Sequence, residues 1–165
     1  MNANAPVVPA SLRNLVFCSK RGSSRLRLGV TNVEAAAVRT VAWLSSPDTT
    51  IAVPVYQRQY RWDTDGCRRL LDDIRTVADG GEQQTHFIGS ILSTATKCSD
   101  VTEWTLIDGQ QRVSTLTLLV AALYHTVQPS DPLLARRLER MLVHPSRAGW
   151  RTKVHTDLRP DPLPQ

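Results

Sequence analysis

The stretch LIDGQQRVSTLTLL, residues 106–119, sets the fold of this chain. It reads as the end of a strand, a tight polar turn and the start of an apolar helix. The first N–H groups of a helix have no acceptor within the helix and the helix dipole is positive there, so such a turn can bind an anion. Arg112 would lie in the first helical turn, where a guanidinium can hold a phosphate through two parallel hydrogen bonds. A simpler interpretation makes Asp108 an ordinary N-cap and leaves Gln110 and Gln111 as solvated side chains.

A second Gln–Arg pair, Gln57 and Arg58, follows a short apolar strand predicted over residues 51–56. Pro54 within that strand predicts an edge position or a bend. Aromatic and arginine side chains alternate around the pair: Tyr56, Tyr60, Arg61 and Trp62. Such aromatics can stack on a base or fix a guanidinium by a cation–π contact. Alternatively, they anchor the loop to the core, as amphipathic aromatic residues usually do.

Apolar residues at helical spacing predict helices over residues 32–44, 64–78, 109–125 and 132–143. Strands are predicted over residues 86–94 and 103–107, the second antiparallel to the first and leading into Asp108. Gly89 inside the first of these strands predicts a bulge or a close approach of backbone. His86 at its start can touch a ligand, or it is simply the polar end of a strand.

Composition indicates one globular domain, since 41% of the 165 residues are hydrophobic. Three widely spaced cysteines without a CxxC pair predict neither a disulfide framework nor a zinc site, and they favour a reducing cytoplasm as the location. No signal-peptide pattern is visible, and the longest apolar run, residues 118–124, is too short to cross a membrane.

Positive charge is concentrated at the two ends of the chain, which carries a formal net charge of +5. Residues 1–30 hold five basic and no acidic side chains, whereas residues 31–135 hold eight basic and twelve acidic ones. Basic ends can attract phosphate backbones regardless of sequence, or they can be solvated tails. We predict a flexible basic arm over residues 1–30, a domain over residues 31–145, and an irregular or truncated tail over residues 146–165.

Four motifs follow one another in this chain: VPVYQRQYRW at 53–62, LDDI at 71–74, HFIGS at 86–90 and IDGQQRVSTL at 107–116. In this order they resemble the N-terminal domain of GmrSD-type modification-dependent restriction proteins, the bacterial phage-defence family marked by the DGQQR motif. The resemblance covers about residues 33–125. It implies a ParB/sulfiredoxin-like α+β fold, with a small mixed or antiparallel sheet packed with helices. It also implies nucleotide binding, NTP hydrolysis and a link to the sensing of modified DNA.

Matching positions carry the site residues that the resemblance implies. The catalytic candidates are Asp108, Gln110, Gln111 and Arg112, with Asp108 also the candidate ligand of Mg²⁺. The nucleotide-binding candidates are Gln57, Arg58, Gly109, Arg112 and Ser114, the last at a position where threonine is more usual. The accessory candidates are Tyr56, Tyr60, Arg61, Trp62 and His86.

The expected function is therefore Mg²⁺-dependent binding and hydrolysis of a nucleoside triphosphate within a DNA-restriction system. The expected partners are DNA, including modified DNA, and a separate nuclease subunit, because several family members carry an HNH-type nuclease that is not recognisable in this chain. The alternative is a non-catalytic DNA-binding or protein-interaction module, such as a truncated relic, whose Gln–Arg loops read base edges. DNA binding that falls steeply with ionic strength would favour the alternative.

Overall fold

The structure, a computed structural model, describes residues 15–22, 33–55, 60–80, 85–98, 101–146 and 149–157. Within these ranges the chain forms eight strands and four helices. In chain order they are β1 (Leu15–Gly22), β2 (Val33–Arg39), α1 (Thr40–Ser45), β3 (Thr49–Pro54), α2 (Thr64–Asp79), β4 (His86–Cys98), β5 (Val101–Asp108), α3 (Gln110–Val127), α4 (Pro132–Leu142), β6 (Val143–Ser146), β7 (Gly149–Thr152) and β8 (Val154–Asp157).

Six of the described strands form one mixed sheet in the order β2-β1-β4-β5-β3-β8. The pairs β1–β2 and β4–β5 are antiparallel, and the pairs β1–β4, β3–β5 and β3–β8 are parallel. The remaining two, β6 and β7, form a small antiparallel sheet. A mixed sheet packed with helices confirms the predicted α+β class. The likeness to ParB and sulfiredoxin stays a prediction.

One hydrophobic core joins the sheet to all four helices. Ile51 on β3 and Leu106 on β5 are fully buried in it, and Val113 of α3 packs in the same cluster. All six residues of β3 are buried, as expected for an interior strand with parallel neighbours on both sides. Pro54 is the last residue of β3 and pairs only with β8, so its missing N–H interrupts no bond to β5.

The hairpin of β4 and β5 delivers the polar turn to its place. Its antiparallel register runs from Cys98 opposite Val101 to Leu92 opposite Asp108. The end of β5 therefore lies beside the middle of β4, close to Gly89. This arrangement confirms the predicted antiparallel pair.

Two of the predicted helices begin at side-chain caps. The carboxylate of Asp63 accepts the N–H of Gly66 at 2.8 Å before α2, and that of Asp131 accepts the N–H of Leu134 at 2.9 Å before α4. The amphipathic stripe of α2 buries Leu70 among other residues, so the helical spacing read from the sequence was correct here. No helix in the described part of the chain has both the length and the apolar character needed to cross a membrane.

The predicted helix over residues 32–44 is wrong. Val33–Arg39 is a strand that pairs antiparallel with β1, and only Thr40–Ser45 is helical. This stretch contains consecutive alanines, and a short run of apolar residues fits a helical and an extended period equally well. The neighbouring strand β1 supplies backbone partners, and this tertiary pairing overrides the local preference for helix.

The chain ends also differ from the prediction. Leu15–Gly22, which lies in the predicted arm, is a strand between β2 and β4. Val154–Asp157, which lies in the predicted tail, pairs with β3. At the two ends of the chain, residues 1–14, 23–32, 147–148 and 158–165 lie outside the described residues.

Candidate functional site

An open cleft of about 510 Å³ lies where β5 ends and α3 begins. Its lining includes all five residues of the DGQQR motif, residues 108–112, together with Trp62 from the segment before α2 and Ser90 from β4. The structure thus places the predicted catalytic residues around one cavity. They lie at the end of β5, in the turn that follows it and at the start of α3.

Gly109 turns the chain from β5 into α3. Its φ is +95°, a conformation that L side chains rarely adopt, and it forms the N-cap of α3 without any side-chain cap. The carbonyl of Gly109 accepts the N–H of Val113 at 3.0 Å, which is a normal first bond of a helix. The N–H groups that precede it in the first turn have no acceptor inside the helix.

Asp108 is not the N-cap that the simpler interpretation assumed. Its Oδ1 atom accepts the N–H of Gly109 at 2.8 Å, and the side chain stays exposed at the edge of the cleft. This bond turns the carboxylate towards the start of α3. A negative charge is thereby held beside the positive end of the helix dipole.

Arg112 reaches back from α3 across β4. Its Nη1 atom donates to the carbonyl oxygen of Ser90 at 2.9 Å. A Cβ added at Gly89 would lie 2.7 Å from both Cζ and Nη2 of Arg112, so the guanidinium occupies the space that any side chain at Gly89 would take. Gly89 has a φ of +107°. The predicted bulge is present, because β4 has one extra residue between Phe87 and Ser90 in its register with β1. The group that comes close to Gly89 is the side chain of an arginine of the DGQQR motif.

Gln111 holds the segment that precedes α2. Its Oε1 atom accepts the N–H of Arg61 at 2.7 Å and the N–H of Trp62 at 3.2 Å. One amide oxygen thus receives two backbone donors from a loop 50 residues away in sequence. The geometry of this contact makes Gln111 a positioning residue.

Tyr60 strengthens the same contact. Its hydroxyl lies 2.8 Å from Oγ1 of Thr115 and 3.1 Å from Sγ of Cys67, and Thr115 in turn donates to the carbonyl of Gln111. The hydrogen bond with Cys67 raises the pKa of Tyr60 above its ordinary value, outweighing the opposite effect of Thr115. The neutral phenol therefore ties α2 to α3 well above neutral pH.

The other predicted residues have varied positions. Trp62 is half-buried and lines the cleft, whereas Arg61 is exposed and contributes its backbone N–H. His86 lies away from the cleft lining, with its Nε2 atom 3.4 Å from Oδ2 of Asp73 on α2. Ser114 is half-buried on α3 and is not among the lining residues.

Three predicted residues, Tyr56, Gln57 and Arg58, lie outside the described residues. Their neighbours on both sides are placed. Pro54 ends β3, and the segment starting at Tyr60 is fixed to α3 by Gln111.

Among the residues that line the cleft, Asp108 is the one with a carboxylate. In the described ranges no three His, Cys, Asp or Glu side chains come together in a way that could hold a metal by themselves. Magnesium is commonly held by one or two carboxylates together with substrate phosphates and water. Asp108 could supply the carboxylate.

Two contributors to the site were missed in the sequence. The carbonyl of Ser90 fixes Arg112, and the hydroxyl of Thr115 joins Tyr60 to α3. Both residues occur inside the quoted motifs, HFIGS and IDGQQRVSTL. Ser90 directly follows Gly89, and Thr115 lies one helical turn after Gln111. These positions were the signal available in the sequence.

A family comparison covers the segment that forms this site. The sequence model for the GmrSD restriction endonuclease N-terminal domain matches residues 42–159, more than half of the chain. The match includes the DGQQR turn and also β6, β7 and β8, beyond the region in which the four motifs were found. Searches of curated proteins and of solved structures gave no match. The chain belongs to the family of GmrSD restriction endonuclease N-terminal domains and is thereby a component of a restriction and phage-defence system.

Proposed function

We propose that the cleft at the DGQQR turn binds a nucleoside triphosphate with Mg²⁺ and hydrolyses it, as one step in the action of a DNA-restriction system. The observation that carries the proposal is the meeting of an N-terminus without a side-chain cap and a fixed arginine in one cleft. Both features attract phosphate, and they reinforce each other when they face the same space.

Phosphate binding would involve Arg112 and the first turn of α3. A guanidinium carries five N–H donors, and the bond to Ser90 takes one of them while fixing the plane of the group. The other donors can meet phosphate oxygens. The backbone N–H group of Gln110 adds a further donor at the positive end of the helix dipole.

Hydrolysis would depend on Asp108 and Gln110. Phosphoryl transfer needs mainly positioning and neutralisation of charge, and bound Mg²⁺ supplies part of that neutralisation. Asp108 would hold the ion through its carboxylate. Gln110 lines the cleft and could orient the attacking water. Gln111 is less suited to that task because its amide oxygen already accepts two backbone N–H groups.

The family supports DNA as the target of the whole system and a nuclease as the partner of this domain. Nucleotide binding would then change how this chain engages that partner. The competing function, a non-catalytic module that binds DNA, predicts a salt-sensitive affinity for DNA and no affinity for nucleotides.

The proposal is tested by titrating the purified chain with each of the four NTPs and Mg²⁺, followed by a phosphate-release assay. Arg112→Ala should weaken nucleotide binding by about 2–3 kcal/mol, the value of a charge-assisted bidentate contact. Arg68→Ala is the matched control, because Arg68 is an exposed arginine on α2 that pairs only at the surface with Asp65. An equal loss of nucleotide affinity in both variants would mean that the effect of Arg112→Ala comes from net charge alone.

Asp108→Asn separates hydrolysis from binding. We expect this variant to bind nucleotide but to release phosphate far more slowly, since the carboxylate that would hold the ion is gone. Nucleotide binding undiminished by Arg112→Ala in a folded protein would overturn the proposed site. Nucleotide binding without any release of phosphate by the wild-type protein would overturn the proposed hydrolysis.

A further inference from the structure

A second cleft, of about 460 Å³, lies at the other end of β5. It involves the start of that strand, at Val101 and Glu103, whereas the first cleft involves its end, at Ile107 and Asp108. The eight residues of β5 are joined by seven steps, so its two ends lie roughly 23 Å apart. A single phosphate group cannot occupy both clefts, so the second cleft needs its own account.

Basic side chains from three successive strands line this second cleft. His144 lies on β6, Arg151 on β7 and His155 on β8. The hydroxyl-bearing residues Thr50 and Thr152 complete the polar wall. Three nitrogen-containing side chains, each from a different strand, therefore line the same cleft.

Each of the two histidines has a ring nitrogen close to an oxygen atom of another residue. Nδ1 of the buried His144 lies 3.0 Å from the carbonyl oxygen of Pro145, and because a carbonyl only accepts, Nδ1 carries the hydrogen. Its Nε2 edge is the one left to meet a ligand. Nε2 of His155 lies 3.5 Å from Oε2 of Glu103.

The wall of the second cleft is held in place by Lys153, which lies between β7 and β8. Its backbone N–H donates to the carbonyl of Leu142 at 2.8 Å, and its carbonyl accepts the N–H of Ile51 at 2.7 Å. The residue is 1% exposed, and its ammonium group donates to the carbonyls of Leu44 and Ser46. These bonds join the end of the β6–β7 hairpin to β3 and to the end of α1. The lining residues on both sides of Lys153 are thereby pre-positioned.

We propose that this second cleft binds a phosphate group. Arg151 offers a planar set of donors suited to phosphate, and the two histidines and the threonine hydroxyls can add single hydrogen bonds. The lining contains one carboxylate, Glu103, and that carboxylate already faces His155. A metal ion fits poorly, since the described part of the chain brings no three candidate ligands together.

The test is a titration of the ¹⁵N-labelled full chain with inorganic phosphate, followed by two-dimensional NMR. We expect shifts in the backbone amides of His144, Arg151 and His155, separate from any shifts in residues 109–113. Arg151→Gln should weaken phosphate binding at the second cleft by at least tenfold while leaving the response of residues 109–113 intact. Arg151 is exposed on a hairpin strand, so this variant should keep the fold.

Arg140→Gln is the control, because it removes the same charge from an exposed residue of α4 that does not line the second cleft. Phosphate binding equally weakened in both variants would overturn the proposal, as would a wild-type spectrum in which residues 144–155 do not respond. A short DNA strand without terminal phosphates identifies the source. Competition with inorganic phosphate at residues 144–155 would assign a phosphodiester of nucleic acid, and binding of inorganic phosphate alone would assign a free phosphate or phosphomonoester.

Discussion

Arg112 and Gly89 share one space: a Cβ at Gly89 would lie 2.7 Å from the Cζ atom of Arg112. The glycine also has a φ of +107°, where other residues are strained. Two independent reasons therefore require glycine in the middle of this strand. Because Gly89 has no side chain, the guanidinium of Arg112 can lie against it, donate to the carbonyl of Ser90 and line the cleft.

Gly89→Ala should both destabilise the fold and damage the site. The backbone strain costs about 1–3 kcal/mol, and the added methyl group displaces the guanidinium of Arg112. We expect nucleotide affinity to fall at least tenfold. Urea unfolding measures the first effect and a binding titration of the folded variant measures the second.

Gly149→Ala is the control for this experiment. Gly149 has nearly the same φ, +108°, but among the described residues, its chain neighbours aside, no atom lies within 4 Å of the position its Cβ would take. It should show the strain without the loss of nucleotide affinity. If both variants bind nucleotide equally well, Arg112 does not contact the phosphates.

Gln111 should prove to be a residue that positions the loop before α2. Gln111→Leu removes the acceptor for the N–H groups of Arg61 and Trp62 and should lower the free energy of unfolding by about 1–2 kcal/mol. Gln111→Glu keeps an acceptor at the same place and should retain most of the stability, but its negative charge near the phosphates should weaken nucleotide binding. Hydrogen exchange at Arg61 and Trp62 reports the contact. Unchanged protection of both amides in Gln111→Leu would contradict this role.

Local patterns in the sequence were sufficient for much of this fold. The spacing of apolar residues located α2 and α4, and the glycine of the DGQQR motif marked the turn into α3. Each of these signals lies within a few residues of the element that it predicts. Arg112 was correctly expected in the first turn of the helix for the same reason.

Elements that depend on long-range strand pairing could not be predicted from such local patterns. β2 was taken for a helix because nothing in Val33–Arg39 reveals that β1 runs beside it. β1 itself pairs in parallel with β4, which begins 71 residues after the start of β1, so its place in the sheet has no local signal. The role of Gln111 also depends on a contact across 50 residues, which the motif alone could not disclose.

The bond between Tyr60 and Thr115 can be measured as a coupling energy. Tyr60→Phe and Thr115→Val each remove one side of a 2.8 Å hydrogen bond, and the double variant removes both. Unfolding of the four proteins should give a coupling of about 0.5–1.5 kcal/mol, because directly bonded residues are not additive. Arg69→Ala in place of Thr115→Val should give none, since Arg69 is an exposed residue of α2 outside this contact. Additive effects of Tyr60→Phe and Thr115→Val would show that the hydroxyl does not join α2 to α3.

Lys153 should make stability rise with pH in the alkaline range. Burial lowers the pKa of its ammonium group to about 8, against the opposing effect of Asp48, whereas an unfolded lysine titrates near 10.5. Between these values the unfolded chain binds more protons than the folded one, so the folded state gains stability as pH rises from 8 to 10.5. The gain is on the order of 2–3 kcal/mol relative to Lys153→Met, in which this group is absent. Urea unfolding of both proteins at pH 7.5, 9 and 10.5 measures the difference, and a constant difference across that range would mean that the lysine keeps its ordinary pKa when folded.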